Sequence, residues 1–359
     1  MIHCANAWEG ACSETLEARK PVAKSPDDYK SESAENGFGY AVSCPQHYFQ
    51  EREMKKHKLM TALIIISLVV TPLASQGIAE SNAEPYLTIT DSTGHSTVLQ
   101  TKPQRVVSLN PNVTETVFAL GAGETLAGRT DYCNYPQQVA AVPSIGDMYN
   151  VNIETTVSLE PDVVICSAFI SQETIDAIRN LGIPLIVLNM QTTLEGTFDF
   201  IRQTGRILAK EDNAEKLVTL MKERIEAVKQ KTSSAEPVTT YYCVGYGEYG
   251  DFTATKDTYI NELIKVAGGI NSAEDGQYWT YSKEQLLEKD PSILVFPEYS
   301  YSNFDLDKQF FQTNEPYNQL TAVKEGRMYK INGDIIDRQG PRTAEAVEAL
   351  AAILHPELF

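Results

Sequence analysis

A chain of 359 residues carrying 48 Asp+Glu against 30 Lys+Arg, net charge −18 at pH 7, is a poor partner for nucleic acid or anionic lipid, since like charge opposes the approach to a phosphate surface. Its length and its 42% hydrophobic content are enough for more than one buried core.

The first segment with a clear physical signature comes late. From Met54 the chain reads MKKHKLMTALIIISLVVTPLASQGIAES. Lys55, Lys56 and Lys58 form a positive region, Leu59 to Leu73 an apolar one, and Gly77-Ile78-Ala79 a small-residue cleavage site, which is the order of a cleaved secretory signal peptide. The apolar run is about 15 residues, short of the roughly 20 that span a bilayer, and Thr71-Pro72 interrupts it. No Cys stands at the cleavage site, which disfavours a lipid anchor. A signal works from an N-terminus, so the expected start is Met54, with residues 1–53 a translated leader or a disordered extension. The segments expected are leader 1–53, signal 54–79, an N-terminal α/β lobe 80–205, a connecting helix 206–235 and a C-terminal α/β lobe 236–359. Cys4, Cys12 and Cys44 fall in the leader. Cys133, Cys166 and Cys243 remain, an odd number without a C-x-x-C pair, so the fold rests on its cores and not on disulfides.

Beyond the signal, YLTITDSTGHSTVLQ (86–100) alternates around DSTG and predicts a β-hairpin. RVVSL (105–109) predicts a buried strand, and NVTETVFALGAG after it a helix capped at Asn112, with Glu115 closing a capping box and Gly121 as the stop. Further strands are expected at DVVIC (162–166) and PLIVL (184–188), with helices over Ile153–Leu159 and up to Gly182. Continuous apolar strands alternating with helices imply a parallel sheet covered on both faces. Ala214, Leu217, Val218, Met221, Ile225 and Val228 then recur at helical spacing, predicting one long amphipathic helix.

After TSSAEP the alternation restarts with strand VTTYYCVGY, helix TYINELIKVAGG, a helix capped at Ser282, strands SILVF and RMYKI, and a last helix from about Pro341. One phrase occurs twice. NIETTVSLEPDVVIC from Asn152 and SKEQLLEKDPSILVF from Ser282 each begin with a capping residue, place a Glu (Glu154, Glu284) two positions on, reach a Pro and end in a strand. FALGAG (118–123) and IKVAGG (264–269) echo each other likewise. The expected fold class is therefore α/β: two similar lobes with parallel sheets, joined by one long helix, with a ligand cleft between them. A single stiff connector implies only modest lobe movement.

Catalytic groups are scarce. Only His95 and His355 lie beyond the signal, and no H-E-x-x-H, G-x-S-x-G or Walker sequence occurs, so neither an enzyme nor a His-rich metal receptor is expected. GYGEYG (245–250) has dinucleotide-binding spacing, but DFTATKD follows it where a helix N-terminus would have to meet the pyrophosphate; it reads as a loop at a cleft edge. Ligands of parallel sheets bind beyond the carboxyl ends of the strands. Those loops hold Tyr132, Cys133 and Tyr135, then Met148 and Tyr149, then Ser167 and Phe169, and in the second half Tyr246, Tyr249, Tyr278, Trp279, Tyr299 and Tyr301. Each alone is as consistent with loop packing as with binding; together they suit a large, flat, partly apolar ligand. Arg338 and Arg342 are the basic candidates, set against a plainer reading of Arg342 as a helix-end residue and Arg338 as the partner of Asp337.

The signal, the hairpin, RVVSLNPNVTETVFALGAG, YCNYP, IETTVSLEPDVVI, the long helix and SKEQLLEKDPSILVF together resemble the periplasmic binding proteins of cobalamin and iron-siderophore ABC importers, from residue 86 to the C-terminus. The resemblance implies a monomeric periplasmic receptor that holds its ligand between two lobes and hands it to a permease dimer with ATPase subunits, with no catalytic activity or cofactor. In that family an acidic residue on each lobe docks on basic residues of the permease, which assigns docking to Glu154 and Glu284. A carboxylate in a first helical turn gains about 0.3–1 kcal/mol from the helix dipole and can also pair with Arg. The dipole alone accounts for either Glu; their identical spacing favours docking. GRTDYCNYP resembles the cobalamin binder's segment with a ring-contacting Tyr, implying that role for Tyr132, and QYWTYSKE its segment with a ring-stacking Trp, implying Trp279. Where that protein uses Trp in its first lobe, this chain has Met148 or Tyr149, and Ser167. The implied ligand is cobalamin; the alternatives are a ferric siderophore, met by Arg338, or haem held by a Tyr. The full implied contact set is Tyr132, Cys133, Met148, Tyr149, Ser167, Phe169, Tyr246, Trp279, Tyr299 and Arg338, with Cys133 either paired to Cys166 or facing the ligand.

Overall fold

A computed structural model describes residues 84–359 apart from 168–169, 190–191 and 248–249. The expected leader and signal, Phe169 and Tyr249 lie outside the described residues. Among those described, no helix is long and apolar enough to cross a membrane.

Strands β1 (Leu87–Thr90) and β2 (Ser96–Leu99) form the expected antiparallel hairpin. Buried Asp91 in its turn accepts from Thr93 N and His95 N on one oxygen, and from Val187 N (3.1 Å) on the other, fixing the hairpin to the first sheet. That sheet is built from β3 (Val106–Ser108), helix α1 (Pro111–Ala119), β4 (Leu126–Arg129), α2 (Ile153–Ser158), β5 (Val163–Cys166), α3 (Gln172–Asn180) and β6 (Leu185–Val187). Its strands run parallel in the order β4-β3-β5-β6. Every residue of β3, β5 and β6 is buried, as continuous apolar strands between two helical layers must be.

Two helices follow, α4 (Leu194–Ile207) and α5 (Glu211–Thr232). Ala214, Val218, Met221, Ile225 and Val228 are buried along one face of α5, the spacing read from the sequence. The connecting helix starts at Glu211 and not at 206, because Ala209 turns into the left-handed region (φ 50) and ends α4. Gly205 lets the two helices meet at this break: a Cβ there would stand 2.7 Å from that of Ala214.

The second sheet contains β7 (Val238–Gly245), β8 (Asp251–Thr253), α6 (Tyr259–Val266), β9 (Gly269–Asn271), β10 (Thr280–Tyr281), α7 (Lys283–Lys289), β11 (Ile293–Glu298), α8 (Phe304–Thr313), α9 (Thr321–Lys324), β12 (Met328–Asn332), α10 (Gly333–Ile336) and α11 (Thr343–Leu354). Strand order is β10-β8-β7-β11-β12, with β9 also on β7. β9, β7, β11 and β12 are parallel, while β8 and β10 add an antiparallel edge. The GYGEYG segment thus leads from β7 into an antiparallel strand, and no helix begins there. The repeated phrase closes alike in both halves: Glu160 (φ 45) and Asp290 (φ 38) each turn left-handed just before the Pro. One continuous core runs from the hairpin through α1, α4, α5 and α6 to α11, and smaller clusters underlie each sheet. The sheets are joined through packed helices.

α1 departs from the reading of its start. It begins at Pro111 with Asn110 as N-cap, so Asn112 and Glu115 lie inside the helix, and Glu115 closes no capping box.

Candidate functional site

Among the aromatic side chains of the loops beyond the strand ends, Tyr132 meets Tyr149 and Tyr299 meets Tyr301, each pair within one half. Tyr132, after β4, is 40% exposed and meets the 43%-exposed Tyr149 edge to face, centroids 6.2 Å apart. Asp147 fixes the Tyr149 loop by accepting from Tyr149 N and Asn150 N, both at 2.7 Å; Met148 between them is half-buried. Tyr135 is exposed and lies under the Arg342 guanidinium, 4.2 Å from the ring centroid, within cation–π range. In the second half Tyr301 stacks on Tyr299 with planes 7° apart and leaves most of its own surface in solvent.

Tyr278 and Trp279 are consecutive non-glycine residues with positive φ, 57 and 63, a conformation that survives only where surroundings impose it. Three contacts impose it. The Asp257 carboxylate accepts from Tyr278 N (3.0 Å), Thr255 Oγ1 accepts from Trp279 N (3.1 Å), and Thr253 N donates to Trp279 O (2.9 Å). The exposed Tyr278 ring and the half-buried Trp279 indole are thereby held on a fixed turn.

Several expected contacts are placed elsewhere. Cys133 is buried in the core, where Thr114 Oγ1 donates to its sulfur at 3.1 Å. It neither faces a cleft nor pairs with Cys166, and all three described thiols are free and buried. Burial pushes the Cys133 thiol up, and that of Cys166 up to about 12, so both stay protonated and unreactive. Ser167 is buried beneath α1, donating from Oγ to Asn112 Oδ1 and from its backbone N–H to Asn110 Oδ1, both at 2.8 Å. The Tyr246 ring packs between Phe310 and Phe311, and its hydroxyl donates to Asp307. The Tyr299 hydroxyl donates to Asp337. Burial first, and then the neighbouring carboxylate, pushes both hydroxyls well up, so neither is a phenolate. In each case the loop lies where the strand order puts it, and packing turns the side chain inward.

Arg338 is also engaged. Its Nη1 donates to Glu115 Oε1 (2.9 Å) and Asn134 Oδ1 (2.7 Å), and its Nη2 to Tyr132 O (3.3 Å) and Asp334 Oδ1 (2.6 Å). Arg342 completes the arrangement from Nε to Glu115 Oε2 (2.8 Å) and from Nη2 to Oε1 (2.6 Å). Glu115, 2% exposed, belongs to the first half and both arginines to the second. Asn134 Nδ2 to Asp334 Oδ2 (2.7 Å), Asn112 Nδ2 to Gln339 O (3.1 Å) and Gln339 Nε2 to Thr197 Oγ1 (3.2 Å) extend the same seam. Sequence reasoning missed this network. One signal was present: a carboxylate between Val113 and Val117 on a helix buried along most of its length requires a cation from elsewhere.

Asp337 is therefore not the partner of Arg338; it accepts from Tyr242 Oη (2.8 Å) and from Tyr299. The residue as a whole is exposed, yet its carboxyl is turned onto these hydroxyls, and loss of water around it drives its pKa up to about 6 from 3.8. Between those values the folded chain holds a proton that the unfolded chain releases. Acidification from pH 7 to 4 should therefore stabilise the fold through Asp337, and the gain should vanish as pH rises through 6. Solvent screening reduces it to on the order of 1 kcal/mol. Urea midpoints at the two pH values check this: Asp337→Asn should lack that part of the acid-side gain, and an unchanged pH difference would refute it.

Glu154 and Glu284 are both exposed in the first turns of α2 and α7. Asn152 Oδ1 caps α2 by accepting from Thr155 N (2.9 Å), and Ser282 Oγ caps α7 by accepting from Gln285 N (3.1 Å). A groove of about 730 Å³ lined by Leu194, Phe198, Ile225 and Glu262 runs along α5 and includes none of the aromatic residues above. Among the described residues, no three His, Cys, Asp or Glu side chains gather as metal ligands.

Comparison with known proteins agrees with this architecture. A family model described as periplasmic binding protein matches residues 106–335. The ABC transporter substrate-binding lipoprotein YvrC of Bacillus subtilis is 29% identical over 279 residues, covering 76% of this chain and 87% of that protein. The vitamin B12-binding protein of Vibrio cholerae serotype O1 is 26% identical over 255 residues, 70% of this chain and 89% of its own. Among solved structures, the periplasmic heme-binding protein RhuT from Roseiflexus sp. RS-1 superimposes with a TM-score of 0.63 at 25% identity, covering 71% of this chain and 99% of that one.

Proposed function

The chain belongs to the periplasmic binding protein family, and we propose that within it the protein is the receptor of an ABC importer that captures a corrinoid, cobalamin, between its two lobes. Exported by the signal at 54–79, it delivers the ligand as a monomer to a permease dimer with ATPase subunits and does no chemistry on it. Family members are substrate-binding proteins of transporters and not enzymes.

The observation that carries the ligand assignment is the state of the arginines. Arg338 and Arg342 are both turned onto Glu115, with Asp334 on Arg338, so the cleft meets its ligand with aromatic faces more than with cations. An amide-rimmed, flat corrin suits such walls; the propionates of haem and the anionic oxygens of siderophores call for free guanidinium groups. Tyr132, Met148, Tyr149 and Trp279 are the contacts on this reading. Cys133, Ser167, Tyr246 and Arg338 act behind them, and Tyr299 supports the Tyr301 face. The Vibrio relative's name supports the assignment. Haem is the second reading, favoured by the Roseiflexus structure and by the exposed tyrosines, since haem iron accepts a Tyr ligand.

Glu154 and Glu284 are the docking points for basic residues of the permease. Both are solvent-exposed on first turns with matching caps, where charge-assisted contacts can form without burial of an unpaired carboxylate.

Tryptophan emission tests the ligand. Cyanocobalamin should quench it saturably, after inner-filter correction, because corrin absorbs in the near ultraviolet and would lie against the Trp279 indole. Trp279→Phe should abolish the quenched emission, since Trp279 is the only Trp in residues 80–359. Quenching by hemin or ferrichrome but not by cyanocobalamin would replace the corrinoid with the alternative ligand.

A further inference from the structure

Each docking carboxylate stands five residues after an aromatic residue of the rim: Tyr149 before Glu154, and Trp279 before Glu284. The intervening strut differs between the halves. Val151 makes an isolated bridge to Gly146 and packs on the core beneath the first sheet, and Asn152 N donates to Ile145 O (2.8 Å), whereas Thr280 and Tyr281 form β10 and pair with Phe252 and Asp251 of β8. The residue ahead of the Glu differs too. In α2 it is Ile153, packed on the core beneath the first sheet; in α7 it is Lys283, whose Nζ donates to Gly247 O in the turn between β7 and β8.

Gly247 is held on its other side as well. Its N–H donates to Tyr317 Oη (3.0 Å), and Tyr317 in turn donates to Asp251 Oδ1 (2.5 Å). Its φ of 112 is a conformation open to glycine alone. The Lys283 ammonium also lies 5.6 Å from the Tyr317 ring centroid. Asp251 is 3% exposed, and its Oδ2 has no hydrogen-bond partner among the described residues. A carboxylate so placed is costly, and burial pushes its pKa up. Trp279, β10, β8, Asp251, Tyr317, Gly247 and Lys283 thus close a ring of contacts that begins at the left-handed turn of the rim and ends beside Glu284.

We propose that this ring couples the cleft to α7, with Lys283 as its positioning residue, so that ligand against Trp279 rigidifies the helix bearing Glu284 while α2, which lacks the tether, does not respond. On this account a transporter tells loaded receptor from empty at the second docking point only. The coupling rests on the ligand-cleft reading above; the tether itself does not.

Amide hydrogen exchange on the full chain tests both parts. In the empty protein, Lys283→Met should speed exchange at Gly247 and across α7 by about tenfold, the scale of one lost hydrogen bond to a charged group, and Lys283→Arg should restore it. Unchanged exchange in Lys283→Met overturns the proposal whatever the ligand. With saturating cyanocobalamin, or with hemin if only that quenches Trp279, α7 should slow by a similar factor in the parent chain and in Lys283→Arg, but not in Lys283→Met, with α2 unaffected throughout. Equal slowing of α2 and α7, or full slowing in Lys283→Met, would also overturn it. Failure of every ligand to quench Trp279 removes the cleft reading and with it the coupling, and leaves the tether to be judged by the ligand-free comparison.

Discussion

Glu115→Ala is expected to lower the stability of the folded chain by about 3–5 kcal/mol, the usual consequence of removing one partner from a buried ion pair. The substitution deletes an acceptor at 2% exposure and strands two guanidinium groups whose side chains are only 15% and 12% exposed. For a folded part of this size each kcal/mol lowers the melting temperature by roughly 2–4 °C, so thermal scans and urea midpoints both resolve the effect. A buried ion pair is not in itself a large source of stability, since desolvation of the charges offsets most of their attraction. The triple replacement Glu115→Leu, Arg338→Met, Arg342→Leu should therefore be markedly more stable than Glu115→Ala alone. A single substitution costing less than about 1 kcal/mol would mean that water reaches the seam and that the network does not fix how the halves sit. A triple variant no better than the single one would mean that shape, not charge, is what Glu115 supplies.

The second large effect concerns transport. Reversal of both docking charges, Glu154→Lys with Glu284→Lys, is expected to abolish uptake of labelled cyanocobalamin in cells that depend on this receptor, while ligand affinity stays within about twofold. The asymmetry follows from placement. Both carboxylates are exposed on first helical turns, so their loss leaves the fold and the rim aromatics in place. Against a basic permease surface, each reversal turns attraction into like-charge opposition, worth several kcal/mol when the contact is closed. The dipole contribution lost from each helix is only about 0.3–1 kcal/mol, too small to unfold the chain. Unimpaired uptake by the double variant would defeat the docking assignment. Uptake lost together with ligand binding would trace the defect to the cleft.

Wherever burial repeats along one element, the sequence was a sufficient guide. The face of α5, the apolar runs of β3, β5 and β11, the hairpin around Asp91 and the caps Asn152 and Ser282 all depend on neighbours within a turn or a strand. The misread start of α1 marks the limit. Asn112 and Glu115 fit a local capping pattern, yet their partners stand more than 200 positions away at Gln339, Arg338 and Arg342, and a local pattern carries no trace of them. The short antiparallel strands β8 and β10 escaped for a related reason, being too brief for periodicity to register and existing only because β7 offers an edge.

For the site, order along the chain placed the loops and the third dimension oriented the side chains. That Tyr132, Tyr149, Tyr278 and Tyr301 face solvent while Cys133, Ser167 and Tyr246 turn inward follows from which cores lie beneath each loop. By itself the sequence determined twin α/β halves, the helix between them and a matched Glu on each, because these rest on local periodicity and capping. Only the tertiary structure decided that the arginines clasp Glu115, that Trp279 sits on a left-handed turn and that Lys283 reaches Gly247, because a charge or a hydroxyl removed from water takes whichever partner the packed chain brings within about 3 Å.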